Sequence, residues 1–341
     1  MSASNESDLS DGLARFIERR SGARSVRVER LTRLLGGAVH HTWAFDATIE
    51  GGRLPGRHEL ILRIDAPGRA QPDVMALEYH LLDAMHGAGV PAPKVFFLGD
   101  DSLGAPFFIM ARVPGETNPR HLFRDDRYAG ARSVMARQLG GILARIHRVP
   151  LDRLPLDLLR RPPEGASPAA YEIDRLEEEY RELCINPHPV FELAFRWLRE
   201  QPPAHRTGRP LVLVHGDYRM GNILFDETGV RAVLDWEGAH LGDLMEDLGW
   251  FCVRAWRFGN DHLPAGGLGT LEEFAAGYEA EGLGVAREEW RFWEVFGNLR
   301  WGVITVMQAK THLDGQVRSQ ELAAIGRRTA ETEYEILRLI D

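Results

Sequence analysis

The chain has 341 residues, 44% of them hydrophobic; at roughly 150 residues per domain, that fills two domains or two lobes. Its 41 basic and 50 acidic residues leave a formal charge of −9, which excludes the electrostatic footprint of nucleic-acid binding. Cys184 and Cys252 are the only cysteines, with no CxxC pair and no histidine at ligand spacing, so neither a disulfide framework nor a zinc site is expected and the compartment reads as reducing. The first residues are polar and acidic where a signal peptide would be basic and then apolar, and runs such as 105–111 are too short to span a bilayer. The expected location is cytoplasmic, with no membrane partner. Only Lys94 and Lys310 are lysines, so any cation needed at a phosphate falls almost entirely to arginine.

From the N-terminus, Leu9, Leu13, Phe16 and Ile17 space a helix at about 6–20. Strand-like runs follow at 26–34, 41–49 and 59–64. Residues 72–85 carry Met75, Ala76, Tyr79 and Leu82 at helical spacing and stop at the break GAGVPAP. Two short apolar runs, 95–98 and 106–111, complete an α+β segment. Beyond 112–115 the pattern turns helical: 133–147 is amphipathic, Ser167 before Pro168 starts another helix, and Thr270 with Glu273 makes a capping box. The exception is 211–235, where LVLVH, ILF and VRAVL read as short strands with a turn at Asp226–Gly229. No repeat is visible.

Residues 215–237 read HGDYRMGNILFDETGVRAVLDWE. Asp217 and Asn222 fall in the turn after a buried-looking strand, and Asp235 ends another. With LVLVH and VRAVL side by side with ILF, two carboxylates and an amide point into one small space. Carboxylates so placed repel unless a cation lies between them. Hard oxygen ligands with coordination positions left open suit Mg²⁺ held partly by substrate phosphates, a metal that arrives with a nucleotide.

HGD with Asn222 five positions after Asp217, then Asp235 thirteen further on, resembles the catalytic loop and metal-binding aspartate of the protein-kinase-like superfamily, whose small-molecule branch carries HGD and then DxE or DxD. With LDWEGAHLGDLMEDLGW, the chain resembles the aminoglycoside phosphotransferase (APH) family, in the branch similar to the kinase-like domain fused to some acyl-CoA dehydrogenases. The similarity runs from about Leu31 to Trp250. It implies an α+β, two-lobed protein-kinase-like fold: a small β-rich N-lobe with one main helix, and a larger, mostly helical C-lobe containing a catalytic β-hairpin. The expected division is a nucleotide-binding lobe at 1–112, a hinge at 113–115, and a helical lobe at 116–341 with the catalytic loop and acceptor site.

The resemblance implies ATP and Mg²⁺ as cofactors and assigns roles. Asp217 is the general base, or orients the acceptor hydroxyl; Asn222 and Asp235 hold Mg²⁺; His215 is a scaffold residue; Glu237 touches a second metal or the substrate. Gly36 and Gly37 let backbone N–H groups approach phosphates. Arg63 stands where related kinases place a phosphate-gripping lysine, and Glu78 on the following helix is its partner. Met110 to Val113, including Arg112, offers backbone to adenine in the cleft between the lobes. Two departures stand out: Arg63, Ile64, Asp65, Ala66, Pro67 replaces the branch's usual Arg-Arg-Pro-Pro, and Leu244 replaces the proline of its GDP.

Other residues have plainer readings. His40 and His41 are loop histidines. Asp243 and Asp247 cap and anchor the next helix. The six acidic residues and two arginines of 171–182 form a solvated helix face, or an acidic wall for a cationic acceptor. Trp290, Trp293, Phe296 and Trp301 form a core stripe. The expectation is a small-molecule kinase acting on a hydroxyl acceptor, either a hydroxylated acyl compound or an aminoglycoside-like one. A catalytically silent nucleotide-binding module and a metal-dependent hydrolase are the alternatives, and oligomeric state is not legible.

Overall fold

The computed structural model describes residues 3–34, 40–66, 70–183, 186–203 and 209–341. They divide into two units: Met1–Gly115 with Asp152–Leu158 and Arg231–Glu237, and Glu116–Leu151 with Leu159–Val230 and Gly238–Asp341.

The first unit runs α1 (Ala3–Ser21), β1 (Ser25–Arg33), β2 (His40–Glu50), β3 (Gly56–Asp65), α2 (Pro72–Gly87), β4 (Val95–Leu98) and β5 (Phe107–Ala111). Its five strands form one antiparallel sheet in the order β1-β2-β3-β5-β4. Trp43, Phe45, Ala47 and Ile49 alternate along β2, and Leu60, Leu62 and Ile64 along β3. This period of two gives the sheet one apolar face, on which Leu13, Phe16 and Ile17 of α1 pack. The same alternation turns Arg63 and Asp65 to the other face, toward α2. That helix begins with proline in its first turn, where the missing N–H costs nothing. Also off the apolar face, buried Asp46 pairs with Arg57 at 3.0 Å and Arg112 at 2.9 Å. Arg30, at a bulge in β1 with φ of 55°, reaches the same carboxylate.

In the second unit the helices are α3 (Pro119–Arg124), α4 (Ala129–His147), α5 (Pro168–Leu183), α6 (Pro189–Glu200), α7 (Leu244–Phe251), α8 (Leu271–Glu279), α9 (Trp290–Leu313), α10 (Gln320–Gly326) and α11 (Thr329–Ile340). Short strands interrupt them: β6 (Val212–Val214), β7 (Ile223–Asp226), β8 (Gly229–Val233) and β9 (His240–Gly242). The last three residues of β8 belong to the first unit. The turn before β8 is held by Asp226, whose carboxylate accepts the Thr228 N–H at 2.8 Å. α9 is the axis on which α5, α6, α7, α10 and α11 pack. Trp290, Trp293 and Phe296 of the expected core stripe are buried on it, whereas Trp301 is only half-buried.

One expectation is corrected. β6 pairs antiparallel with β9, through Val212↔Gly242 and Val214↔His240, rather than with the strands that follow it. A three-residue strand between a Gly-rich turn and a helix leaves no period to read, so β9 was invisible in the sequence.

Two contacts should carry measurable stability. Helices α4 and α8 meet at backbone distance, where a Cβ on Gly277 would lie 2.0 Å from the Arg137 carbonyl oxygen. Gly277→Ala is therefore expected to cost about 1–3 kcal/mol. Thr270→Ala, which breaks the capping box of α8, is expected to cost about 1 kcal/mol. Urea denaturation of both variants checks the order; a larger loss from the cap would put the α4–α8 packing in error.

Candidate active site

Two clusters hold the residues singled out from the sequence, one in each unit. In the second unit the chain leaves β6 at Val214 and turns through His215–Asn222. Gly216 has φ of 78°, and a Cβ there would lie 2.2 Å from the Gly238 carbonyl oxygen, so glycine is required twice over. The loop is tied from below by Asp247, which is fully buried. Its carboxylate accepts the N–H groups of His215 at 2.6 Å and Gly216 at 3.0 Å. His147 Nε2 lies 3.1 Å from the same carboxylate, and His147 Nδ1 lies 2.7 Å from the Tyr278 hydroxyl. Burial alone would push the Asp247 pKa up; the hydrogen bond and charge of His147, with the His215 N–H, hold it below the ordinary value. Asp247 thus anchors the loop at 215–222, whereas Asp243 caps α7 as expected by accepting the Met245 N–H.

His215 acts within the loop, its Nδ1 accepting the Asp217 N–H at 3.1 Å. The Asp217 carboxylate takes three donors: Arg219 Nε at 2.9 and 3.1 Å, Trp250 Nε1 at 3.0 Å and Asn222 Nδ2 at 2.6 Å. Asn222 Nδ2 also reaches the Asp217 carbonyl at 2.9 Å, so the amide oxygen faces away from that carboxylate. The sequence brought Asp217 and Asn222 to notice; Arg219, Trp250, His147 and Tyr278 carried no signal beyond their proximity to the motif or their place in a helix.

In the first unit, Arg63 is the hub. Its Nε lies 2.6 Å from Glu78 Oε2, its Nη2 lies 3.2 Å from Asp235 Oδ1, and the same Nη2 contacts Glu237 Oε1. The expected Arg63–Glu78 pair is therefore present, with Glu78 buried and Arg63 half-buried. Asp235 sits at φ of 66°, a strained conformation for a non-glycine residue that is sustained only where surroundings impose it. His40, read from sequence as a plain loop histidine, is buried between two carboxylates. Its Nδ1 is 2.7 Å from Asp65 and its Nε2 is 3.2 Å from Glu237. The β2–β3 register, which sets His40 opposite Asp65, builds that contact.

The electrostatics follow. Complete burial pushes Glu78 up to about 7 even with Arg63 against it. Burial works in the same direction on Glu237, but the His40 hydrogen bond and the Arg63 charge override it and take that carboxylate down to about 2. Burial lowers the His40 pKa, and the Glu237 hydrogen bond more than compensates, leaving it raised.

Gly36 and Gly37 lie outside the described residues. Met110 sits within β5 opposite Ile61. The Arg112 N–H donates to the Glu59 carbonyl at 2.9 Å, which commits it within the sheet, and its guanidinium Nη2 meets Asp46 and Glu59. On α5, Glu177 pairs with Arg181 at 2.7 Å and Asp174 with Arg199 at 2.8 Å, and Glu172 and Glu179 meet Arg175. Glu172, His240 and Glu246 come together at metal-ligand spacing, but Arg160 and Arg175 already neutralise Glu172.

Beside the loop at 215–222, Trp250 and Trp256 meet at a tilt and Trp256 and Trp301 edge to face, with ring centroids 5.2 and 4.8 Å apart. Trp301 forms a wall of a cavity of about 790 Å³ that also takes in Arg120, Arg254, Phe258, Arg328 and Tyr334. No helix among the described residues is long and apolar enough to cross a membrane.

The family model described as APH, phosphotransferase enzyme family, matches residues 30–293. Acyl-CoA dehydrogenase family member 10 of Mus musculus is 28% identical over 292 residues, covering 80% of this chain and 26% of that protein. The chain thus spans about a quarter of that curated relative's length. Among solved structures, the chain is similar to one described as an aminoglycoside phosphotransferase from Ralstonia eutropha, with a TM-score of 0.75, 23% identity and 97% coverage of both chains. It is also similar to aminoglycoside phosphotransferase APH(4)-Ia crystallised with ADP and hygromycin B, with a TM-score of 0.59, 17% identity, and 96% and 98% coverage. These likenesses bear on the fold: the expected α+β, protein-kinase-like architecture is that of these phosphotransferases.

Because the Asp247 pKa is lowered in the folded chain, its contribution to stability is complete above the ordinary carboxylate pKa of about 3.9 and is lost as pH falls through the depressed value. Asp247→Asn is expected to cost about 3 kcal/mol at pH 7, with the gap to the parent chain narrowing below about pH 4. Urea titrations at pH 7 and pH 3 measure both; an equal gap at the two pH values would show that the loop does not depend on the carboxylate charge.

Proposed function

The chain belongs to the APH phosphotransferase enzyme family, and on that premise we propose that it is an ATP- and Mg²⁺-dependent small-molecule kinase that phosphorylates a hydroxyl group. The observation that carries this reading is the Asp217 carboxylate, held by three N–H donors in a loop pinned to Asp247. A carboxylate fixed in this way is placed to orient an acceptor hydroxyl, and positioning is what phosphoryl transfer asks for. The acceptor oxygen forms its bond to the γ-phosphorus, the bond to the β–γ bridging oxygen breaks, and the hydroxyl proton passes to Asp217 or to solvent.

The residues present fit a hard divalent cation. Arg63 Nη2 already stands as a positive charge shared by Asp235 and Glu237, and the Asn222 amide keeps its oxygen clear of Asp217. Asn222 and Asp235 would hold Mg²⁺, with Glu237 as a further ligand or a substrate contact. When bound, the ion neutralises charge on the phosphates. Arg63, braced by Glu78, is the phosphate grip; Gly36 and Gly37 keep their proposed place at the phosphates. With the Arg112 N–H committed, the adenine contact falls to Met110 and the hinge at 113–115. His215 supports the loop. A cytoplasmic setting supplies ATP and keeps buried Cys252 reduced.

For the acceptor, the cavity beside Trp301 mixes aromatic rings with both signs of charge, Arg254 pairing with Asp261 and Glu335 and Arg328 with Glu331. Walls so balanced favour neither a hydroxylated acyl compound nor an aminoglycoside-like one. The intact set Asp217, Asn222 and Asp235 argues against a silent nucleotide-binding module.

A screen of hydroxylated metabolites and antibiotics for ATP-dependent gain of one phosphoryl mass is expected to yield a product with the parent chain. Asp217→Ala should lower kcat about 10²- to 10⁴-fold while nucleotide still binds. Asp235→Asn is expected to remove the Mg²⁺-dependent part of nucleotide affinity, and Arg63→Ala to weaken nucleotide use more than acceptor binding. Unchanged Mg²⁺ dependence in Asp235→Asn would refute its role, and turnover without nucleotide would favour a hydrolase.

A further inference from the structure

One of the three donors on Asp217 is a cation to which no role has been assigned. Arg219 uses only Nε on that carboxylate, at 2.9 and 3.1 Å from its two oxygens. Its guanidinium carbon lies 5.1 Å from the Trp256 ring, within the range of a cation–π contact. Its Nη1 lies over Gly221, where a Cβ would come within 2.1 Å of it. Gly221 has no positive φ, so its backbone does not demand glycine; the space beside it is taken by the guanidinium. Among the described residues neither Nη group has a hydrogen-bond acceptor, and the side chain is 29% exposed.

We propose that Arg219 is a further catalytic residue, whose two Nη groups bind oxygens of the phosphoryl group in transit. This rests on the kinase reading above. Anchoring by Nε leaves the Nη1–Nη2 edge, the edge that matches two phosphate oxygens. In transfer the acceptor oxygen joins phosphorus as the bridging bond breaks, and negative charge stays on the three equatorial oxygens. The neighbouring Asp217 carboxylate would repel that charge, and a guanidinium fixed against it cancels the repulsion without reorganising at the moment of reaction. An arginine that merely braced Asp217 would not need its other two nitrogens unbonded.

Three full-length variants test this: Arg219→Ala, Arg219→Lys and Gly221→Ala. The readouts are hydrolysis of Mg·ATP with water as acceptor, the Kd for Mg·ATP, and the gain in ADP affinity on adding aluminium fluoride, a mimic of the phosphoryl group in flight. Arg219→Ala is expected to slow hydrolysis about 10³-fold and to abolish the aluminium fluoride gain, with Mg·ATP affinity within about threefold of the parent. Arg219→Lys should recover part of the rate, keeping the charge without the fork. Gly221→Ala, which displaces an intact guanidinium, should reproduce Arg219→Ala. An unchanged aluminium fluoride gain in Arg219→Ala overturns the proposal, as does a loss of rate matched by equal loss of Mg·ATP affinity and a lower melting temperature. A parent chain that binds no Mg·ATP removes the kinase reading itself, before any variant is compared.

Discussion

The carboxylate of Asp247, buried at the end of hydrogen bonds from His147 and from two consecutive backbone N–H groups, is the constraint on which the loop at 215–222 depends. Backbone N–H groups in a tight turn have no ladder to join, and buried without partners they would cost more than the turn could bear. An ionised carboxylate satisfies both, and His147 with Tyr278 behind it offsets the cost of burying that charge. With the loop so held, Asp217 can be presented 26% exposed yet fixed by three donors, one from a helix that Asp243 caps.

The first unit solves a different problem with similar parts. Arg63 is surrounded by Glu78, Asp235 and Glu237, and His40 links Glu237 back to Asp65. Glu78, His40 and Asp65 are buried, and removing Arg63 would leave the Glu78 charge buried and unpaired. The chain uses arginine here, consistent with its near absence of lysine, and arginine's planar fork can hold several carboxylates at once where an ammonium would act as a point charge. The strained backbone at Asp235 fits a residue whose side-chain direction matters more than its local comfort.

Much of this was legible in the chain. The runs at 41–49 and 59–64 read as strands, the capping residues marked α5 and α8, and the spacing from Asp217 to Asn222 to Asp235 pointed to the family. Arg63 and Glu78 could be paired because a strand and the next helix are close in sequence. His40 and Asp247 could not be read so: one looked like a loop residue and the other like a helix cap, and each owes its importance to partners far along the chain.

Sequence alone determined the local structure and the reactive residue types, since period, capping and motif spacing act over a few residues. Only the tertiary structure decided that β6 joins β9, that Asp247 receives the loop's N–H groups, and that Asp174 and Glu177 of α5 meet Arg199 of α6. Those outcomes depend on which groups lose water together, and desolvation is a property of packed neighbours rather than of neighbours in the chain.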